Sequence, residues 1–138
     1  MGRHVVDASV ILKWVFGEEQ EADRNKALGL LNGWVEGRVE LLAPDLWVYE
    51  VGNFLGRQLP GQTLEKLELL LNLRVPSIAL TENMLRLCFD WMARNGVTFY
   101  DASYLAVAEE TKSILVTADA KFAEKMGRPQ SICLLRDI

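Results

Sequence analysis

Of the 138 residues, half are hydrophobic and one quarter charged, with a formal net charge of −4 at pH 7. That profile predicts one ordinary soluble globular domain over 1–138, long enough to bury a core. No apolar run approaches the roughly 20 residues of a membrane span. The first ten residues, MGRHVVDASV, carry no signal-peptide core, and Val6 stands where a myristoylation signal needs Ser or Thr, so the expected location is the cytosol.

In chain order, Arg3–Asp7 (RHVVD) predicts a strand that passes into a helix over Ala8–Phe16, broken at Gly17. This places Asp7 at the strand tip and Ser9 in the first helical turn. Apolar residues at Ala22, Ala27, Leu30, Leu31 and Trp34 predict an amphipathic helix over Glu18–Trp34. Val39–Ala43 is a second strand, stopped by Pro44, and a helix runs from Asp45 to about Leu59 with Leu46, Tyr49, Asn53 and Leu55 inside. Pro60-Gly61 is a break. Thr63 then caps a helix, and Val75–Leu80, split by Pro76, is a short peripheral strand.

Thr81–Asn95 reads as a helix with Thr81 as N-cap, a Leu85, Cys88, Phe89, Met92 stripe and a closing Gly96. A helix from Phe99 to about Lys112 follows, opened near Asp101 and apolar at Tyr104, Leu105 and Ala108. The strand Ser113–Thr117, a short helix Asp119–Met126 and a last strand Ser131–Leu135 complete the chain. Strands alternating with helices predict an α/β domain of three layers, a mainly parallel sheet between helices. Strand order is not readable from the pattern. Cys88 and Cys133 sit in apolar runs and read as core thiols, and His4, the only histidine, as a strand-flank residue.

Four acids fall where elements change type or just inside a helix: Asp7, Glu50, Asp101 and Asp119. Aspartates at helix starts serve as caps or dipole partners, which accounts for each of the three aspartates taken alone. Glu50 has no such account. In DLWVYEVGNFL it lies among apolar neighbours, and a buried lone glutamate is costly unless paired or metal-bound. Carboxylates converging at the C-terminal edge of a parallel sheet, where open α/β sheets bind ligands, raise one another's pKa. A divalent cation removes that penalty, and hard oxygen donors without His or Cys favour Mg²⁺ or Mn²⁺. Such a centre suits phosphodiester hydrolysis. The negative net charge does not exclude a nucleic-acid partner, because these four acids account for all of it.

The blocks VVDASV, APDLWVYEVGN, FYDASYLAVA and LVTADAKF, in this order over nearly the whole chain, resemble the PIN-domain ribonucleases, in particular the VapC toxins of VapBC toxin–antitoxin pairs. The resemblance implies a PIN-like fold and metal-dependent hydrolysis of RNA. It also implies Asp7, Glu50, Asp101 and Asp119 as the catalytic acids and Mg²⁺ or Mn²⁺ ligands, with Ser9, Asn53 and Thr117 orienting carboxylates, waters or the phosphate. The partners it implies are an RNA substrate, a cognate antitoxin and a second copy of the chain. Lys13, Arg57 and Lys121 are the candidate phosphate contacts, set against plain surface charge. The tryptophans Trp14, Trp34, Trp47 and Trp91 read as core or dimer contacts.

A nucleotide-binding α/β domain is the competing enzyme class, but VVDASVILKW has neither a G-x-G-x-x-G nor a Walker lysine motif. The remaining alternative is a catalytically inactive PIN-like module that binds RNA or protein.

Overall fold

The structure, a computed structural model, describes residues 2–17 and 23–138. Five strands form one parallel sheet in the order β3-β2-β1-β4-β5. They are β1 (Arg3–Val6), β2 (Glu40–Pro44), β3 (Ser77–Ile78), β4 (Ile114–Thr117) and β5 (Ile132–Leu134). The inner strands are short runs of Val, Leu and Ile buried at consecutive positions, as in β4, where Leu115, Val116 and Thr117 are all buried. Consecutive burial means that both faces are covered, the situation of a parallel sheet between helix layers.

Among the described residues seven helices supply those layers: α1 (Ala8–Val15), α2 (Arg24–Val35), α3 (Trp47–Gln58), α4 (Thr63–Asn72), α5 (Glu82–Asn95), α6 (Phe99–Thr111) and α7 (Ala120–Lys125). With this strand order the right-handed crossover rule puts α1 to α4 on one face and α5 to α7 on the other, and the contacts of α1 with α2, α3 and α4 and of α5 with α6 agree. The predicted three-layer α/β architecture is the one present. The first part of the expected second helix, Glu18–Ala22, lies outside the described residues.

β1 is central, with β2 on one side and β4 on the other. The chain leaves β1 towards β2 and returns through α5 and α6 to β4, so the order reverses beside β1. Ligands bind at such a reversal, outside the carboxyl ends of the strands. The β1–β4 register pairs Val5 with Leu115 and Val6 with Val116, which brings Asp7 level with Thr117.

Several local expectations change. β2 continues through Pro44, which pairs with Ile78, and α3 begins only at Trp47 with Leu46 at its N-cap. Tyr49 and Asn53 face outward rather than inward. Thr63 is the first residue of α4 rather than its cap, and its hydroxyl donates to the carbonyls of Leu55 and Leu59 at the end of α3. In α5 the core face is Met84, Leu87, Cys88 and Trp91, not the parallel stripe through Phe89. Both stripes have helical spacing, and packing against α6 selects the first. Phe89 is 57% exposed and stacks on Phe99. The Thr81 cap and the left-handed Gly96 (φ 66°) bound α5 as predicted.

α6 is not the one-sided helix its pattern suggested. Seven consecutive residues, Ala102–Ala108, are buried, because α6 lies across β1, β2 and β4 beneath α5. A helix apolar all round belongs in a core. Trp14, Trp34 and Trp47 anchor other elements through indole N–H bonds to Ala27 O, Leu73 O and Ser77 Oγ. Cys88 is buried, Cys133 only half-buried, and both are free. No helix among the described residues is long and apolar enough to cross a membrane.

Leu115 is fully buried in the middle of the sheet. Leu115→Ala is expected to lower unfolding stability by about 2–5 kcal/mol, read from urea denaturation midpoints.

Candidate active site

At the C-terminal ends of β1 and β4 lies a cavity of about 240 Å³ lined by Asp7, Ala8, Ser9, Leu12, Glu50, Phe54, Asp101, Tyr104 and Asp119. All four predicted acids face it. Each arrives by a different route. Asp7 follows β1 and caps α1, Glu50 lies in the first turn of α3, Asp101 in the first turn of α6, and Asp119 caps α7 after β4.

Asp7 is the most constrained. Its Oδ1 accepts from the Val10 amide at 3.3 Å and from the Ser9 hydroxyl, and its Oδ2 accepts from the Thr117 hydroxyl. The two hydroxyls are themselves placed by backbone. Ser9 Oγ accepts from the Ala118 amide at 3.0 Å, and Thr117 Oγ1 accepts from the Asp119 amide at 3.0 Å. Ser9 and Thr117, both expected beside the acids, thus join the tip of β1 to the turn after β4. Asp119 Oδ1 accepts from the Phe122 amide at 3.0 Å, a helix cap that leaves its other oxygen towards the cavity.

Asp101 is not a cap. Thr98 takes that role, its hydroxyl accepting from the Asp101 amide at 3.1 Å and also bonding the Asp101 carboxylate, which lines the cavity. Glu50 Oε1 accepts from the Tyr104 hydroxyl at 2.8 Å. The sequence pattern marks Tyr104 only as an apolar helix residue. The signal for its role was its spacing, since it lies three residues after Asp101 and therefore on the same helical face.

The electrostatics record carboxylates crowded without a cation among the lining residues. Burial raises the Asp7 pKa to about 6, against the lowering effect of its Ser9, Thr117 and Val10 bonds, and the charge of Asp101 adds to the rise. Glu50 is raised by burial and by Asp101, with the Tyr104 bond opposing. Asp101 is raised by burial and by Asp119, with the Thr98 bond and Lys125 opposing. Burial and the Glu50 charge push the Tyr104 phenol up, so its proton stays on the hydroxyl.

The other predicted site residues stand apart. Asn53 is exposed on α3 and does not line the cavity. Lys13, Arg57 and Lys121 do not line it either, and the last two are exposed. Lys125, which sequence reasoning passed over, is the basic residue whose charge acts on Asp101.

Among the described residues no three His, Cys, Asp or Glu side chains close on a single point as a ready-made ion site. The donor set is nonetheless all hard carboxylate oxygen around an open cavity. That suits a cation such as Mg²⁺, which keeps several waters and takes only one or two protein carboxylates. The residues therefore fit a hydrated divalent cation and not a closed protein cage.

The PIN domain signature matches residues 4–127. The chain belongs to the PIN domain family. Over 131 residues it is 34% identical to Ribonuclease VapC3 of Pyrobaculum aerophilum, covering 88% of this chain and 92% of that one. Over 146 aligned positions it is 31% identical to Ribonuclease VapC1 of Mycobacterium tuberculosis, covering 99% and 100%. In fold it is similar to the crystal structure of Mycobacterium tuberculosis VapC20, a sarcin-ricin loop cleaving toxin, with a TM-score of 0.64, 16% identity and coverage of 88% and 93%.

Asp7 holds its proton to about pH 6 when folded, against 3.8 for an ordinary Asp carboxyl. Between those values the folded state binds more protons than the unfolded. The stability this group lends at low pH is therefore lost as pH rises from about 4 through about 6. In EDTA, Asp7→Asn is expected to remove that component, on the order of 3 kcal/mol, from the pH dependence of urea midpoints. A wild-type-like slope in the variant would refute the assignment.

Proposed function

We propose that this protein is a divalent-metal-dependent ribonuclease that hydrolyses RNA phosphodiester bonds, and that it is the toxin of a toxin–antitoxin pair. The observation that carries this reading is the convergence of Asp7, Glu50, Asp101 and Asp119 on one cavity at the sheet's reversal point, with no basic residue lining it. Kinship with VapC ribonucleases over almost the whole chain supports the substrate class. Residues 1–138 act as one PIN-like domain in this reading, working in the cytoplasm.

Asp7, Glu50, Asp101 and Asp119 would hold hydrated Mg²⁺ or Mn²⁺, one or two of them directly and the others through its waters. A bound cation of this kind supplies an acidified water and charge stabilisation at the phosphate. The chain's own contribution is orientation. Ser9, Val10 and Thr117 fix Asp7 by three donors, so both its oxygens keep set directions. Thr117 also ties the Asp119 amide to the same anchor. Leu12 and Phe54 give the cavity an apolar flank, where electrostatic interactions are less screened. Asn53, Lys13, Arg57 and Lys121 are left as outer contacts for an extended RNA.

The protein partners belong to the same reading. Leu64 and Leu71, seven residues apart and so on one face of α4, are both exposed, apolar side chains of the kind found at protein–protein contacts. An antitoxin segment and a second copy of the chain are the proposed occupants of that face.

Cleavage of RNA is expected with Mg²⁺ or Mn²⁺ and none in EDTA. Asp7→Asn and Asp101→Asn should each reduce kcat by more than about 100-fold, beyond what loss of an outer-shell partner costs, while thermal melts show a folded protein. Opening of a covalently closed RNA circle would establish internal cutting. Full activity in EDTA sinks the mechanism, and RNA binding without cleavage under every metal tried favours the inactive-module alternative.

A further inference from the structure

Glu50 differs from Asp7 and Asp119 in how it is held. Asp7 and Asp119 are short side chains whose oxygens accept backbone amides beside them. Glu50 has a longer side chain with more rotatable bonds, and it reaches the cavity from a helix that starts beyond the end of β2. Left alone it would sample several rotamers. Its one hydrogen bond from another side chain among the described residues comes from Tyr104, at 2.8 Å.

Tyr104 is suited to fix it. Its ring is 1% exposed and packs in the core, so the hydroxyl is a rigid extension of α6. The same helix presents Asp101 one turn earlier, and both residues line the cavity. The bond engages Oε1 and leaves Oε2 as the oxygen without such a partner.

We propose that Tyr104 is a positioning residue of this site, holding Glu50 by Oε1 so that Oε2 is the oxygen offered to a divalent cation. The inference rests on the metal-site reading above. It carries a consequence for ion choice. Ca²⁺ readily takes both oxygens of a carboxylate, whereas Mg²⁺ and Mn²⁺ sites use single oxygens and water. A Glu50 whose Oε1 is shared with a hydroxyl is a poorer bidentate ligand. Tyr104 therefore biases the site against Ca²⁺. A tyrosine whose hydroxyl only needed a partner for burial would affect stability and leave cation affinity alone.

The test is Tyr104→Phe, which keeps the ring and removes the hydroxyl. Mn²⁺ binding is followed by electron paramagnetic resonance and Ca²⁺ binding by calorimetry, with thermal melts in EDTA as the fold control. The expected result is Mn²⁺ affinity about 10-fold weaker and a smaller Mn²⁺/Ca²⁺ affinity ratio. In a Glu50→Ala background the same substitution should change Mn²⁺ affinity no further. If Tyr104→Phe alone fails to fold, Glu50→Asp, too short to keep the Tyr104 bond, takes its place: a smaller Mn²⁺/Ca²⁺ ratio is expected, and an unchanged ratio overturns the inference. A folded Tyr104→Phe protein with wild-type Mn²⁺ affinity and ratio overturns the inference while leaving the metal site intact. An equal loss in the Glu50→Ala background overturns it too, since Tyr104 would then not act through Glu50. A wild-type protein that binds no Mn²⁺ overturns the metal reading and this inference with it.

Discussion

The carboxylate of Asp7 is the point to which the rest of the structure is tied. It is 8% exposed at the tip of the central strand, and three donors from two segments of chain converge on it. One of those donors, Thr117, is more than a hundred residues away and reaches Asp7 only because β1 and β4 run parallel in a fixed register. A shift of that register by one residue would turn Thr117 to the opposite face of the sheet. The fold and the site therefore share one constraint. The buried Val5, Val6, Leu115 and Val116 set the register, and the register sets the hydroxyl against the acid.

The same interaction shows why the site works against the stability of its own fold. Asp7, Glu50 and Asp101 are all raised above ordinary carboxylate values, burial being the largest cause in each case. A domain selected for stability alone would place neutral or apolar groups there, as replacements of buried ion pairs illustrate. Local rules broken together at one place mark a functional site. Here the broken rules are one buried and two part-buried acids, repulsion between Asp101 and Asp119, and no basic residue in the lining. The deep aliphatic core beneath the cavity supplies the stability against which that cost is set.

The sequence made the acids legible because each sits at a boundary between element types, and boundaries can be read from hydrophobic period. Strand, helix and turn signals are enough to put Asp7, Asp101 and Asp119 at the carboxyl edge. Glu50 stood out because no cap explains it. What resisted reading was rotation about helix axes. α5 carries two overlapping apolar stripes, and only its contact with α6 decides that Trp91 turns in and Phe89 out. Tyr49 and Asn53 were misplaced on α3 for the same reason. The basic residues fail by geometry: Lys121 is two residues, roughly 200° of helix, beyond the Asp119 cap, and Arg57 is two turns, about 10 Å, down α3 from Glu50. Nearness in sequence did not become nearness at the cavity.

Tyr104 is the instructive omission. By composition it is a core aromatic, and its ring does occupy the core; the chemistry resides in one oxygen at the far end. An aspartate at a strand tip can be fixed by neighbouring amides because its carboxylate stays within reach of the backbone. A glutamate cannot be held in that way from α3, where the nearest amides are spent in the helix. The missing restraint has to come from another element, and it must be rigid, since a flexible donor would move with the group it holds. A buried ring on the most enclosed helix of the domain meets both requirements. The total burial of α6 thus gives a platform whose first turn delivers Asp101 and whose second steadies Glu50.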